Sequence, residues 1–133
     1  MPGAQEYADL LDERLASTRA LRAALSTAIE DMVVSRSLTF ADDEHDPDGS
    51  TVSLDQARDT ALLARTERTL TKLVAARERL DAGRYGRCER CGQPIPHERL
   101  LARPEARRCV PCSALALRRA QGTARAQGPG PVS

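Results

Sequence analysis

The chain has 133 residues, 29% of them charged, with 20 basic residues nearly cancelling 19 acidic ones. Only 2% is aromatic (Tyr7, Phe40 and Tyr85) and tryptophan is absent, which argues against a broad α/β enzyme with a deep apolar pocket. Ala and Leu supply the apolar share, and with abundant Arg, Glu and Asp that is the composition of long helices or a coiled coil.

Residues 4–38 are predicted as one helix. Ala8, Leu15 and Ile29 recur at multiples of seven, as do Leu11, Leu25 and Met32, with Thr18 between them. The two series interleave at three and four, the spacing of a heptad seam. Leu21 and Ala28 widen the seam to a stripe, and Arg22 interrupts it. Residues 39–53 then hold Asp, Pro47 and Gly49, all turn formers. Within them, residues 41–50 carry five acids (Asp42, Asp43, Glu44, Asp46 and Asp48) and no Lys or Arg.

A second helix is expected over residues 54–82. Leu63, Thr66, Leu70, Leu73, Arg77 and Leu80 step by three and four. Ser53 with Gln56 matches a capping box at its start, and Gly83 suits the left-handed position that ends it. Each helix alone leaves an apolar stripe wet, and pairing the two antiparallel buries both. The predicted fold is therefore mainly α: an antiparallel two-helix coiled-coil hairpin over 4–82 with an acidic tip at 41–50. The internal pairing also makes a monomer the expected state.

Residues 83–120 contain all four cysteines. Cys88-Glu-Arg-Cys91 and Cys109-Val-Pro-Cys112 are two C-x2-C pairs separated by seventeen residues, a zinc signature. Two residues between cysteines let one tight turn aim both sulfurs at one point, and Gly92 can take the positive φ that such a knuckle requires. Cys88, Cys91, Cys109 and Cys112 are thus the expected ligands of one structural Zn²⁺. A four-sulfur shell keeps no open position for substrate. His97 could replace a sulfur, but four cysteines already close the shell. Arg87, Arg90, Arg107 and Arg108 stand near enough in sequence to offset the negative charge of a tetrathiolate. Tyr85 is expected to pack over the finger. Pro111 followed by SALALRRAQ predicts a short closing helix, and residues 121–133 read as a disordered tail.

The run Leu80-Asp-Ala-Gly83-Arg-Tyr85-Gly86-Arg-Cys88, then Cys91-Gly92, Ile95, Arg99-Leu100, Ala102, Pro104, Ala106, Cys109 and Cys112 resembles the DksA/TraR C4-type zinc finger. The preceding helical pair also fits the longer members of that family. The resemblance implies a transcription regulator that binds RNA polymerase at its secondary channel through protein–protein contacts, without sequence-specific DNA binding and often together with ppGpp. The zinc end would grip the channel rim and the rod would present its acidic tip, with Asp43, Asp46 and Asp48 as partner-binding residues. The tip departs from the family's D-x-x-D-x-A pattern: aligned on Asp46-Pro47, Gly49 and Thr51 stand where the second Asp and the Ala should be.

Other functions remain open from the residues themselves. Residues 77–119 carry eleven Arg against five acids, a pattern that a nucleic-acid-binding zinc ribbon would use, although aromatics for base stacking there are limited to Tyr85. A thiol- or zinc-responsive switch is a further alternative. No phosphate-binding glycine loop or Ser/His/Asp set is present and His occurs only at 45 and 97, so no enzyme is expected. MPGAQEYADL has no apolar signal core, and no stretch approaches the ~18 apolar residues of a membrane span. The expected home is a reducing cytoplasm.

Overall fold

A computed structural model describes residues 3–42 and 49–126. Four helices follow one another: α1 (Ala4–Asp42), α2 (Gly49–Asp81), α3 (His97–Ala102) and α4 (Val110–Ala126). Among the described residues there is no strand, only an isolated antiparallel bridge between Arg87 and Pro94.

α1 and α2 pack along each other as an antiparallel pair. Their cross-links run in opposite sequence directions: Arg77 Nε meets Asp12 Oδ1 at 2.9 Å, while Arg36 Nη1 donates to Gln56 Oε1 at 3.3 Å. At 1.5 Å rise per residue, the 39 residues of α1 span roughly 58 Å. The seam is tightest at the end where α1 begins and α2 ends. There Leu11, Leu15, Leu70, Leu73 and Ala76 form one buried cluster, with Leu80 and Tyr85 against it. Thr66, buried in the same seam, donates its hydroxyl to the Leu62 carbonyl at 2.7 Å, so the polar group enters the core with its hydrogen bond made. Towards the end of α1 and the start of α2 the seam opens: Ile29 and Met32 are half-buried, and Leu38 and Leu54 are 67% and 69% exposed.

Several expectations need correction. Leu21 does not widen the seam; it is 45% exposed. In α2 the seam steps from Leu73 to the fully buried Ala76, and Arg77 sits at its edge, paired with Asp12 and with Asp81 Oδ1 at 2.5 Å. The three-and-four rule permits either step after Leu73, and the smaller, uncharged residue takes the buried one because a guanidinium is costly to desolvate. Ser53 is not an N-cap: α2 already begins at Gly49. A serine costs only a few tenths of a kcal/mol inside a helix, so it cannot force a start where pairing with α1 continues. Likewise α1 runs past residue 38 to Asp42, because no Gly or Pro interrupts Thr39-Phe40-Ala41.

Gly83 ends α2 as its position predicts. Its φ is +73°, Arg84 N–H donates to Arg79 O at 2.8 Å and Gly83 N–H to Leu80 O at 3.1 Å, the two bonds of a Schellman turn. At the far end, residues 121–126, expected within a disordered tail, continue α4. Apart from Gly122 these are residues a helix accepts, and one glycine does not end it. The acidic-tip residues Asp43, Asp46 and Asp48, and the tail beyond Ala126, fall outside the described residues.

Candidate metal centre

The Schellman turn after α2 aims the chain into a knuckle. Gly86 and Gly92 both have positive φ, +87° and +75°. Cys88 N–H donates to Gln93 O at 2.9 Å, Gly92 N–H to Cys88 O at 2.9 Å and Ile95 N–H to Gly86 O at 2.7 Å. These bonds close a small hairpin with Cys88 and Cys91 at its turn. α3 follows and buries Leu100 beside Ile95 and Cys88 as the finger's core. The second pair lies at the start of α4: Ser113 N–H donates to Cys109 O at 2.9 Å, placing Cys109 just ahead of the first turn and Cys112 within it.

These two turns bring the four sulfurs together. All lie within 4.8 Å of one another, and Cys91 Sγ and Cys109 Sγ are 3.8 Å apart. The second distance matches the edge of a tetrahedron with 2.3 Å metal–sulfur bonds, about 3.8 Å, and is far from the roughly 2.05 Å of a disulfide. The donor set, four thiols converging on one point, can hold one metal ion, and sulfur of this kind favours Zn²⁺. It is the one such group among the described residues.

The sulfurs are electrostatically unequal. Burial opposes ionisation of Cys88, but backbone N–H groups at Cys91, Cys109 and Arg90, together with the Cys91 thiol, hold its pKa down to about 6. At Cys91 a bond from the Gln93 backbone lowers the pKa, yet the thiol's hydrogen bond to Cys88, burial and its bond to Cys109 leave it raised. Cys112, hydrogen-bonded to Cys109 and then penalised by burial, is pushed up to about 12. A divalent cation bound by thiols of this kind deprotonates them.

Residues around the cysteines hold the two turns in register. Glu89 N–H donates to Arg107 O at 2.9 Å, and the Glu89 carboxylate accepts from Arg108 Nε at 3.0 Å with Arg107 Nε at 3.9 Å. Two of the four expected charge-balancing arginines therefore pair with Glu89, while Arg87 and Arg90 are exposed. Arg99 reaches across the finger: its Nε donates to Arg108 O at 3.0 Å and its Nη2 to Ser113 Oγ at 2.9 Å, which ties α3 to both sides of the second cysteine pair. Tyr85 packs between the hairpin core and the finger core, and its hydroxyl donates to Pro104 O at 2.8 Å. Burial pushes its pKa up to about 12. His97 is not at the cluster; its Nδ1 lies 2.9 Å from the Tyr7 hydroxyl. Sequence spacing found the cysteines but not Arg99, Glu89, Tyr7 or His97. Their roles come from partners between 9 and 90 residues away, and a periodic pattern carries no such signal.

Residues 83–114 match the family model of the prokaryotic dksA/traR C4-type zinc finger. The chain carries a zinc finger of the dksA/traR type. An uncharacterized protein of Aquifex aeolicus (strain VF5) is 47% identical over 45 residues, 34% of this chain and 31% of that one. General stress protein 16O of Bacillus subtilis (strain 168) is 36% identical over 72 residues, 54% of this chain and 44% of that one. The chain thus spans less than half the length of either curated relative. The solved structure of transcription factor DksA2 from Pseudomonas aeruginosa superposes with a TM-score of 0.71 at 25% identity, covering 89% of this chain and 85% of that one. The dksA/traR-type finger and the hairpin that carries it therefore share the architecture of a DksA protein over most of their length.

A cleft beside the finger is lined by Lys72, Arg99, Arg103, Arg107 and Arg108 with Glu105 as its acid. No helix of the described residues is long and apolar enough to cross a membrane.

Proposed function

We propose that this chain is a non-catalytic zinc-finger transcription regulator that binds RNA polymerase, at its secondary channel, by protein–protein contact. The observation that carries the reading is a four-thiol centre joined to the base of a long antiparallel hairpin, in a chain whose fold superposes on that of transcription factor DksA2. In this reading Cys88, Cys91, Cys109 and Cys112 hold one Zn²⁺, whose closed shell supplies folding energy to the finger and no reactive position. The chain's own residues do the rest. Glu89 and Arg99 fix the two cysteine turns, Tyr85 and Tyr7 seat the finger on the hairpin, and the hairpin sets the reach between the finger and the acidic residues Asp43, Asp46 and Asp48. A group of carboxylates carried on a narrow rod presents a focused negative field to a cationic or metal-containing cleft.

The test is retention of core RNA polymerase on the immobilised zinc-loaded chain, tagged at either end. Retention at low salt, with Asp46→Asn folding normally but changing transcription from stable and unstable promoters in vitro, supports the reading. No retention in either tag orientation overturns it.

The cleft of five cations around Glu105 favours a second reading, direct binding of nucleic acid. That reading requires affinity for duplex or single-stranded nucleic acid that falls steeply with salt, and a filter-binding titration decides it.

A further inference from the structure

α4 is held to the finger through its first turn. Cys112 packs in its first turn against the finger core, whereas Ala114, Leu115 and every residue from Leu117 to Gly122 are exposed. A helix of this length without tertiary support is marginal in water, and Gly122 in its interior costs a further ~1 kcal/mol relative to alanine. Its exposed surface is not plain. Val110, 57% exposed, Ala114 and Leu117, 61% exposed, fall at i, i+4 and i+7 and make one apolar stripe. Arg118 follows beside that stripe, and residues 110–126 contain three Arg and no acid.

The opposite chemistry lies at the start of α1. A groove between α1 and α3 is lined by the exposed carboxylates of Glu6, Asp9 and Glu13 and by Leu10 and the 47% exposed Leu101. The acids stand three, four and seven residues apart, so they rim one side of α1 over two turns, about 10 Å. Val110 to Leu117 spans the same two turns. No α4 residue of the same chain lines this groove.

We propose that the groove receives α4 of a second copy of this chain. Each copy offers one basic amphipathic helix and one acidic, apolar-floored groove, so reciprocal docking forms a closed two-fold dimer with two identical contacts. Leu117 and Val110 then cover Leu10 and Leu101, and Arg118 faces the carboxylate rim. The monomer expected from the sequence rests on pairing inside the hairpin, which this contact leaves intact. The proposal does not rest on the polymerase reading, because its test uses this chain alone.

Sedimentation velocity of the full-length, zinc-loaded chain tests it, with Glu13→Arg and Arg118→Glu as variants. Both positions are exposed, and unchanged helical circular dichroism confirms that each variant folds. The expected result is a concentration-dependent species of twice the chain mass at low salt, weakened by high salt. Each charge reversal alone should weaken dimerisation roughly tenfold or more. An equal mixture of the two variants should recover it, because the reversed groove of one then meets the reversed helix of the other. A single monomeric species at low salt across the whole soluble concentration range overturns the proposal. So does a dimer that neither reversal weakens, or one that mixing fails to restore.

Discussion

The ring of Tyr7, in the first turn of α1, lies 5.0 Å from that of Tyr85 in the finger, tilted by 56°. Seventy-seven residues of chain lie between them, and through this contact the open end of the hairpin is closed by the cysteine-bearing unit. Tyr7 also meets the His97 ring edge-on at 5.7 Å and hydrogen-bonds it. The finger is therefore seated on α1 as well as being continuous with α2.

Truncating that contact separates ring packing from hydrogen bonding. Tyr7→Ala should destabilise the zinc-loaded chain by about 2 kcal/mol, the loss of a partly buried aromatic. Tyr7→Phe should cost less than about 1 kcal/mol, since only an exposed hydrogen bond is removed. Denaturant unfolding followed by helical circular dichroism measures both. Equal losses in the two variants would assign the linkage to His97 instead of Tyr85.

Arg99 should matter beyond its charge. It ties the Arg108 carbonyl and the Ser113 hydroxyl with one guanidinium, so Arg99→Ala leaves both unpaired and should cost about 1–3 kcal/mol. Faster zinc transfer to a chromogenic chelator is the accompanying readout. Arg99→Lys should rescue little, because an ammonium lacks the planar fork that spans both acceptors.

Loss of a single sulfur should divide the molecule. Cys109→Ser is expected to abolish stoichiometric zinc, measured by elemental analysis, and to loosen residues 84–120. Much of the α1–α2 signal should persist, because the Leu11, Leu15, Leu70, Leu73 and Ala76 cluster does not contain the cysteines. A cooperative loss of all helix in the variant would contradict this.

Zinc binding should release protons. In the metal-free chain Cys88 ionises at about 6, whereas Cys91 is raised and Cys112 is pushed to about 12. At neutral pH the metal must therefore displace protons from at least Cys91 and Cys112. Affinity rises with pH and falls on acidification, more steeply below about 6, where Cys88 holds its proton as well. Calorimetric titrations in buffers of different ionisation enthalpy count the protons; a heat independent of buffer would refute the arrangement.

Alkali should reveal the buried phenol. Burial raises Tyr85 from 10.0 to about 12, and burial with the neighbouring Glu6 carboxylate raises Tyr7. A raised folded-state pKa favours the neutral form, so the Tyr85 contribution is complete below about 10 and is lost as pH climbs towards 12. Phenolate absorbance should accordingly show no tyrosine titrating at its ordinary value until the finger opens.

The elements of this fold that rest on local chemistry were legible in the residues. Leucine spacing marks both long helices, Gly83 marks where α2 stops, and the paired C-x2-C turns mark where four sulfurs meet. Places where two local rules allow the same thing were not legible. After Leu73 the periodic pattern allows Ala76 or Arg77 to be buried, and only the presence of Asp12 on α1, 2.9 Å from Arg77, shows which faces out. Ser53 satisfies a capping pattern, but a helix starts where pairing with its neighbour begins to outweigh the disorder of the chain, and that depends on α1.

The sequence by itself determined the helical hairpin, the knuckle turns and the thiol set, because backbone preferences and side-chain spacing act over a few residues. Tertiary structure alone decided that Tyr7 and Tyr85 join the two units, that Arg99 braces the second cysteine turn, and that α4 extends past the finger with an apolar stripe exposed. Each of those depends on burial and distance between residues remote along the chain, and these acquire values only once the whole chain has folded.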